Sequence, residues 1–227
     1  MIQEFEDKKL WQKDDHVDFN VYLCQVTRTG VLRFLSHREW ITAVQRTMRR
    51  AGFPFWYTRG FHPKPKFKFP RAMPTGLISR ANYFLLRLNR EDAADTHKLG
   101  SHFNKKAPAG MQMKGMWRVF DSFSLTGYMD LWRFRLIIRD DFSKALDLEG
   151  LLGSRAYDGK VAEMNNGLFM IEYNTEEKNW LDYRELLEKI YGERYPRQFY
   201  LPILEEVFYK EDGLKPIRKL FDAGWEV

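Results

Sequence analysis

Phe19-Asn20-Val21-Tyr22-Leu23-Cys24-Gln25-Val26 and, after a loop holding Gly30, Ser36-His37-Arg38-Glu39-Trp40 are the stretch from which the fold can be read. The first run is rich in β-branched, aromatic and aliphatic residues and reads as a strand. The second has capping-box form, S-x-x-E, in which the serine oxygen and the glutamate carboxylate satisfy each other's free backbone N–H groups at a helix start. Leu35 and Trp40 flank it where a hydrophobic staple would sit. Trp40, Ile41, Val44 and Met48 then form one helical stripe, and Gly52 is a fitting stop.

Working outward, residues 53–69 are broken by Pro54, Gly60, Pro63 and Pro65 and read as short extended pieces around a loop. Residues 82–88 read as a strand, 91–105 as a helix and 111–120 as a strand. The order is β-α-β-β-α-β. Downstream it recurs. Residues 130–139 alternate apolar and basic side chains with a period of two, the mark of a half-buried strand. A short helix is expected at about 142–152. Strands at 160–164 and 168–173 flank Asn165-Asn166-Gly167, a hairpin-turn sequence. Residues 180–191 form an amphipathic helix with Leu186, Leu187 and Ile190 inward, and 200–209 a last strand. The expected class is α+β, built as two tandem ferredoxin-like (βαββαβ) units divided near 121–127. This gives a polar N-terminal arm at 1–18, a basic domain at 19–122, a second domain at 126–210 and a C-terminal tail at 211–227. The halves share element order and no sequence identity.

The charge is unevenly placed. From Trp40 to Arg90, 51 residues carry 11 Lys or Arg and no acid, where about seven acids would be expected at the chain's own rate. Residues 128–227 carry 20 acids against 15 basic residues. The formal net charge of +6 therefore sits in one block. Such a block calls for a counter-charge, and nucleic acid is the commonest source. With 44% hydrophobic residues the chain can bury a true core. No apolar run approaches the ~20 residues of a bilayer span, and the acidic opening Met1–Asp7 lacks leader features. A cytoplasmic protein is expected. The single cysteine, Cys24, excludes an internal disulfide and a cysteine-built iron–sulfur or zinc site in this chain.

The densest chemistry lies in Tyr57-Thr58-Arg59-Gly60-Phe61-His62-Pro63-Lys64-Pro65-Lys66-Phe67-Lys68-Phe69. Extended from Lys64, this segment puts Lys64, Lys66 and Lys68 on one side and Pro65, Phe67 and Phe69 on the other. The lysines would neutralise phosphates while the aromatics enter the core or stack bases. The same pattern also serves as a lysine-protected edge strand. A second constellation is Arg33-Phe34-Leu35-Ser36-His37, where helix-start amides could bind an anion with Arg33 and His37 as added donors; otherwise Ser36 caps and His37 is solvated. Arg49 and Arg50 lie near the end of the same helix, off its apolar stripe. His37 and His62 are candidates for an acid/base pair in metal-free RNA cleavage. No metal site and no cofactor are expected: the basic block has no carboxylate, and no phosphate-cradling glycine motif is present.

These residues resemble a known family. Thr29-Gly30-Val31-Leu32-Arg33-Phe34-Leu35-Ser36-His37 looks like its G-x-L-R-F-L-S-H segment, and Arg49-Arg50-Ala51-Gly52-Phe53-Pro54 like its R-R-A-G-x-P. Residues 57–66 look like its Y-S-x-G-F-x-P-x-P-K, and Met73-Pro74-Thr75-Gly76 like its L-P-x-G. Together, across about residues 21–120, they match the radical-SAM-linked protein family of bacteria, encoded beside or fused to a radical-SAM protein. The resemblance implies such an enzyme as partner, not radical chemistry in this chain. One departure stands out: Asn82-Tyr83-Phe84-Leu85 occupies the place of the family's E-Y-x-D-like acids.

The expected function is that of an accessory protein working with a radical-SAM enzyme. It would bind RNA or another polyanion through Arg33, Ser36, His37, Arg49, Arg50, Arg59, His62, Lys64, Lys66 and Lys68. The alternatives are a metal-independent endoribonuclease using His37 and His62, and a protein-interaction module for the radical-SAM partner.

Overall fold

The computed structural model describes residues 18–59, 61–90, 95–139, 150, 152–153, 156–164, 167–176, 178–192, 199–220 and 225–226. The near-continuous apolar run at the start becomes β1 (Phe19–Arg28), buried at every residue but the first. A strand covered on both faces needs such a run. Its even residues Tyr22, Cys24 and Val26 join one core, and Val21 and Leu23 join another on the opposite face.

The first core lies under two helices. α1 (His37–Arg50) begins with the expected capping box: the Glu39 N–H donates to Ser36 Oγ at 3.3 Å and the Ser36 N–H donates to Glu39 Oε2 at 2.8 Å. Trp40, Val44 and Met48 are buried as the stripe required, with Thr47 as the fourth buried residue in place of the half-buried Ile41. β2 is only Phe67–Lys68, and β3 runs Ile78–Asn89, longer than its apolar centre suggested. α2 (Thr96–Lys106) starts where Asp95 caps it, accepting from the Lys98 N–H at 2.9 Å; residues 91–94 of the expected helix lie outside the described residues. β4 (Met113–Val119) closes this half.

The second half contributes β5 (Leu131–Arg139), β6 (Ala156–Met164), β7 (Leu168–Glu176), α3 (Tyr183–Tyr191) and β8 (Tyr200–Glu211). The helix expected near 142–152 falls mostly outside the described residues, as do Asn165 and Asn166 of the hairpin turn. Gly167 carries the positive φ of 69° that such a turn requires. Residues 211–227, expected as a tail, hold β9 (Gly213–Pro216) on β8 and β10 (Trp225–Glu226) on β4.

The ten strands of the described residues form one sheet, ordered β10-β4-β1-β3-β8-β5-β7-β6, with β2 on β3 and β9 on β8. The fold is thus of the expected α+β class. Within each half the pairings are antiparallel. The halves meet along a short parallel seam, Ile78↔Ile203 and Ser79↔Leu204. The second core crosses that seam, packing Leu23, Tyr83 and Trp117 with Trp132, Phe134, Tyr173 and Leu187. Among the described residues no helix is long and apolar enough to cross a membrane.

Candidate functional site

Residues 53–59 and 61–69 fold back against β3. Phe55 bridges to Leu88 and Tyr57 to Pro65. The Trp56 N–H donates to the Arg87 carbonyl, and the Arg87 N–H donates to the Lys66 carbonyl, each at 3.2 Å. The expected alternation follows. Lys64, Lys66 and Lys68 are exposed and Pro65 is buried. Phe67 and Phe69 pack against the helix-side core, with Phe69 stacked on Phe84 at 4.9 Å between ring centres. The aromatics therefore anchor the strand rather than face a ligand. None of the three lysines has an ion-pair partner among the described residues.

The pairing Lys68↔Leu85 and Val21↔Arg87 puts Lys68 and Arg87 on the sheet face away from α1 and α2. There Lys66, Lys68 and Arg87 line a recess of about 200 Å³ with Val21 and the 121–123 segment. Asp121 is the one acid among its described lining residues. Arg87 lies 4.0 Å over the Phe19 ring and 5.5 Å from that of Trp56, and the two rings meet edge to face at 5.0 Å. Such cation–π contacts are worth roughly 0.5–1 kcal/mol at exposed sites, enough to hold the guanidinium beside the lysines. Arg87 was not singled out from sequence, because only the β1–β3 register reveals its face.

The other candidates are scattered. Arg59 pairs with Asp18 at 3.2 Å, both largely exposed, a contact of little energetic weight. His62 is exposed, next to a fully exposed Phe61. Arg49 is exposed on α1, and Arg50 donates to Thr47 Oγ1 at 3.1 Å and to the Lys106 carbonyl at 3.4 Å. Both lie on the helix side, across the sheet from Lys66, Lys68 and Arg87. Arg33 folds over Phe34, 4.6 Å from its ring. The Ser36 hydroxyl accepts from the Glu39 N–H of the cap.

His37 packs its ring edge-on against Phe69 at 5.4 Å, the aromatic side of the lysine strand. Its Nδ1 is buried without a hydrogen bond. Burial, and then the Arg28 charge, lower its pKa below the ordinary histidine value. No hydrogen bond or ring contact joins it to His62 among the described residues.

Arg28 is the residue that sequence reading missed altogether. It is fully buried and donates to the carbonyls of Leu32, Arg33, Leu35 and Met73, fixing the 30–35 turn to the 73–76 loop. The Gly76 N–H closes the same junction on the Arg33 carbonyl at 2.7 Å. Its sequence context, Val26-Thr27-Arg28-Thr29 at the end of the expected strand, carried no sign of its burial. Cys24 is fully buried in the helix-side core, and burial pushes its thiol far up, so it has no thiolate character.

No curated protein matches the chain. Among solved structures, a crystal structure described as that of an unknown protein from Galdieria sulphuraria covers 81% of this chain and 97% of its own, at 11% identity and a TM-score of 0.25. A likeness that low carries no argument about fold or activity. The family comparison is of a different order, since it runs across both halves of the sheet. Over residues 22–212 the sequence matches a bacterial family, and the chain belongs to it: the family described as "Uncharacterized protein conserved in bacteria" (DUF2344).

Proposed function

We propose that this protein binds RNA, or another polyanion, on the lysine face of residues 64–68, as an accessory to a radical-SAM enzyme. The observation that carries the reading is the recess where Lys66, Lys68 and Arg87 converge, with Lys64 exposed on the same strand. Cations without ion-pair partners among the described residues, on a backbone anchored by packed aromatics, suit a row of phosphates. The Phe19–Trp56 pair beside Arg87 adds an aromatic border on which a base could rest. Binding has more support than cleavage, because His37 sits on the opposite side of the strand from the lysines. The link to a radical-SAM partner rests on the motif resemblance at residues 29–76.

We also read each half as a ferredoxin-like unit. The order β4-β1-β3-β2 in one and β8-β5-β7-β6 in the other, antiparallel throughout, supports this. Both correspond to an order 4-1-3-2 counted within the half.

Fluorescence anisotropy with a labelled single-stranded RNA tests the interface. Affinity should fall with salt with a log–log slope of about −3, from roughly −0.7 per phosphate at four cations. The triple variant Lys64→Glu, Lys66→Glu, Lys68→Glu should bind at least about a hundredfold more weakly at the same salt. Salt-independent binding, or full affinity in the triple variant, rules the interface out.

A further inference from the structure

Where β3 and β8 part beyond their two-rung seam, the sheet opens into a second cavity, of about 530 Å³. The residues just past the last rung, Arg80 and Glu205, span the fork: Arg80 Nη1 donates to both carboxylate oxygens of Glu205, at 2.9 and 3.2 Å. Three irregularities in strand pairing converge here. On β3, Arg80 and Ala81 together oppose Thr27. On β4, Lys114 is an extra residue between partners of Gln25 and Val26. On β8, Glu205 is an extra residue between partners of Arg133 and Phe134. Bulges re-aim side chains and recur beside binding sites. In a regular strand Glu205 and Glu206 would point to opposite faces; with the bulge both line this cavity, as do Arg80 and Lys114.

The lining presents both signs of charge. Glu205 is fixed by Arg80 and by Arg135 at 3.2 Å. Glu206 accepts from the Tyr83 hydroxyl at 2.9 Å and the Val207 N–H at 3.0 Å, with Arg218 at 3.7 Å. These carboxylates are positioned in advance. Lys114 has no partner among the described residues and supplies an uncommitted cation. Buried Gln25 and Thr27 also line it, their side chains donating to the Arg80 and Gly110 carbonyls. Among the described residues lining the cavity, none has an aromatic or aliphatic side chain. Its volume lies within the roughly 300–1,000 Å³ of small-molecule sites.

We propose that this cavity binds a small zwitterionic metabolite of amino-acid type, its carboxylate on Lys114 and its ammonium group at Glu205 and Glu206. A simple anion would reach Lys114 but face the two carboxylates, and a polyamine would meet Arg80, Lys114 and Arg218. A zwitterion answers both ends. The site shares no residue with the lysine recess, so it stands or falls independently of RNA binding.

Isothermal titration of the full chain with each standard L-amino acid tests it. Every amino acid that binds is compared with its decarboxylated amine and its deaminated acid, and ribose 5-phosphate serves as an anion without an ammonium group. The expected result is saturable binding of at least one amino acid, stronger than of either fragment, weakened about tenfold or more by Lys114→Met and by Glu206→Gln. The Lys66→Glu, Lys68→Glu double variant should leave it unchanged. Melting temperatures accompany each titration, and if Glu206→Gln does not fold, Lys114→Met decides. No amino-acid binding, a fragment or ribose 5-phosphate binding as tightly, or unchanged affinity in the variants overturns the proposal.

Discussion

Arg28 is a buried arginine whose hydrogen bonds among the described residues all go to carbonyl groups, and it has consequences for its neighbours. Its charge is solvated by Leu32, Arg33, Leu35 and Met73 and lies 5.9 Å from the Trp40 ring. Losing it would leave those carbonyls unpaired in a closed space. The same charge reaches His37, where it adds to burial in favouring the neutral ring. Because the folded pKa is below the unfolded value of 6.5, the unfolded chain takes up the proton first as pH falls. The contribution of His37 is therefore complete above pH 6.5 and is lost as pH falls through the folded value. Urea midpoints measured from pH 7.5 downward should decline more in the wild type than in His37→Gln. Parallel profiles would show that the ring is not held neutral by the fold.

At the scale of elements, the helix start at Ser36 separates structure from recognition. Both halves of the capping box are formed, so Ser36→Ala should cost about 1 kcal/mol of stability, read from urea unfolding, with Ser36→Asp close to the wild type. If capping is its whole role, RNA affinity in Ser36→Ala stays within about twofold; a larger loss at unchanged fold would make the hydroxyl a ligand group. This cap was legible from four residues, because capping is local chemistry. So was the Lys-Phe alternation of residues 64–69, which needs only the period of a strand. The convergence of Arg87 with Lys66 and Lys68 was not legible, since it depends on β1 pairing β3 in one register. Nor were the bulges that gather Arg80, Lys114 and Glu205, because a single extra residue leaves no periodic trace. Gln25 and Glu206 looked like ordinary polar residues in strands until the seam brought them together.

The whole molecule is knit by its second core, and this fixes how it should unfold. The helix-side core of the first half draws only on residues between Tyr22 and Met116. The other core takes Leu23, Tyr83, Leu85 and Trp117 from the first half and Trp132, Phe134, Tyr173 and Leu186 from the second. Cutting the chain near residue 122 would expose both sides of it. At about 1.5–3 kcal/mol for each large apolar side chain exposed, the loss would exceed the ~5–15 kcal/mol by which a typical domain is stable. The halves should therefore form one cooperative unit despite their similar strand order. Guanidinium unfolding followed by far-ultraviolet circular dichroism and by tryptophan fluorescence should give one superimposable transition. Residues 1–122 and 123–227 produced separately should each lack a cooperative melt. Two resolved transitions in the full chain, or a sharply melting 1–122 fragment, would show instead that the first half carries its own stability and that the shared core is only a contact between independent domains.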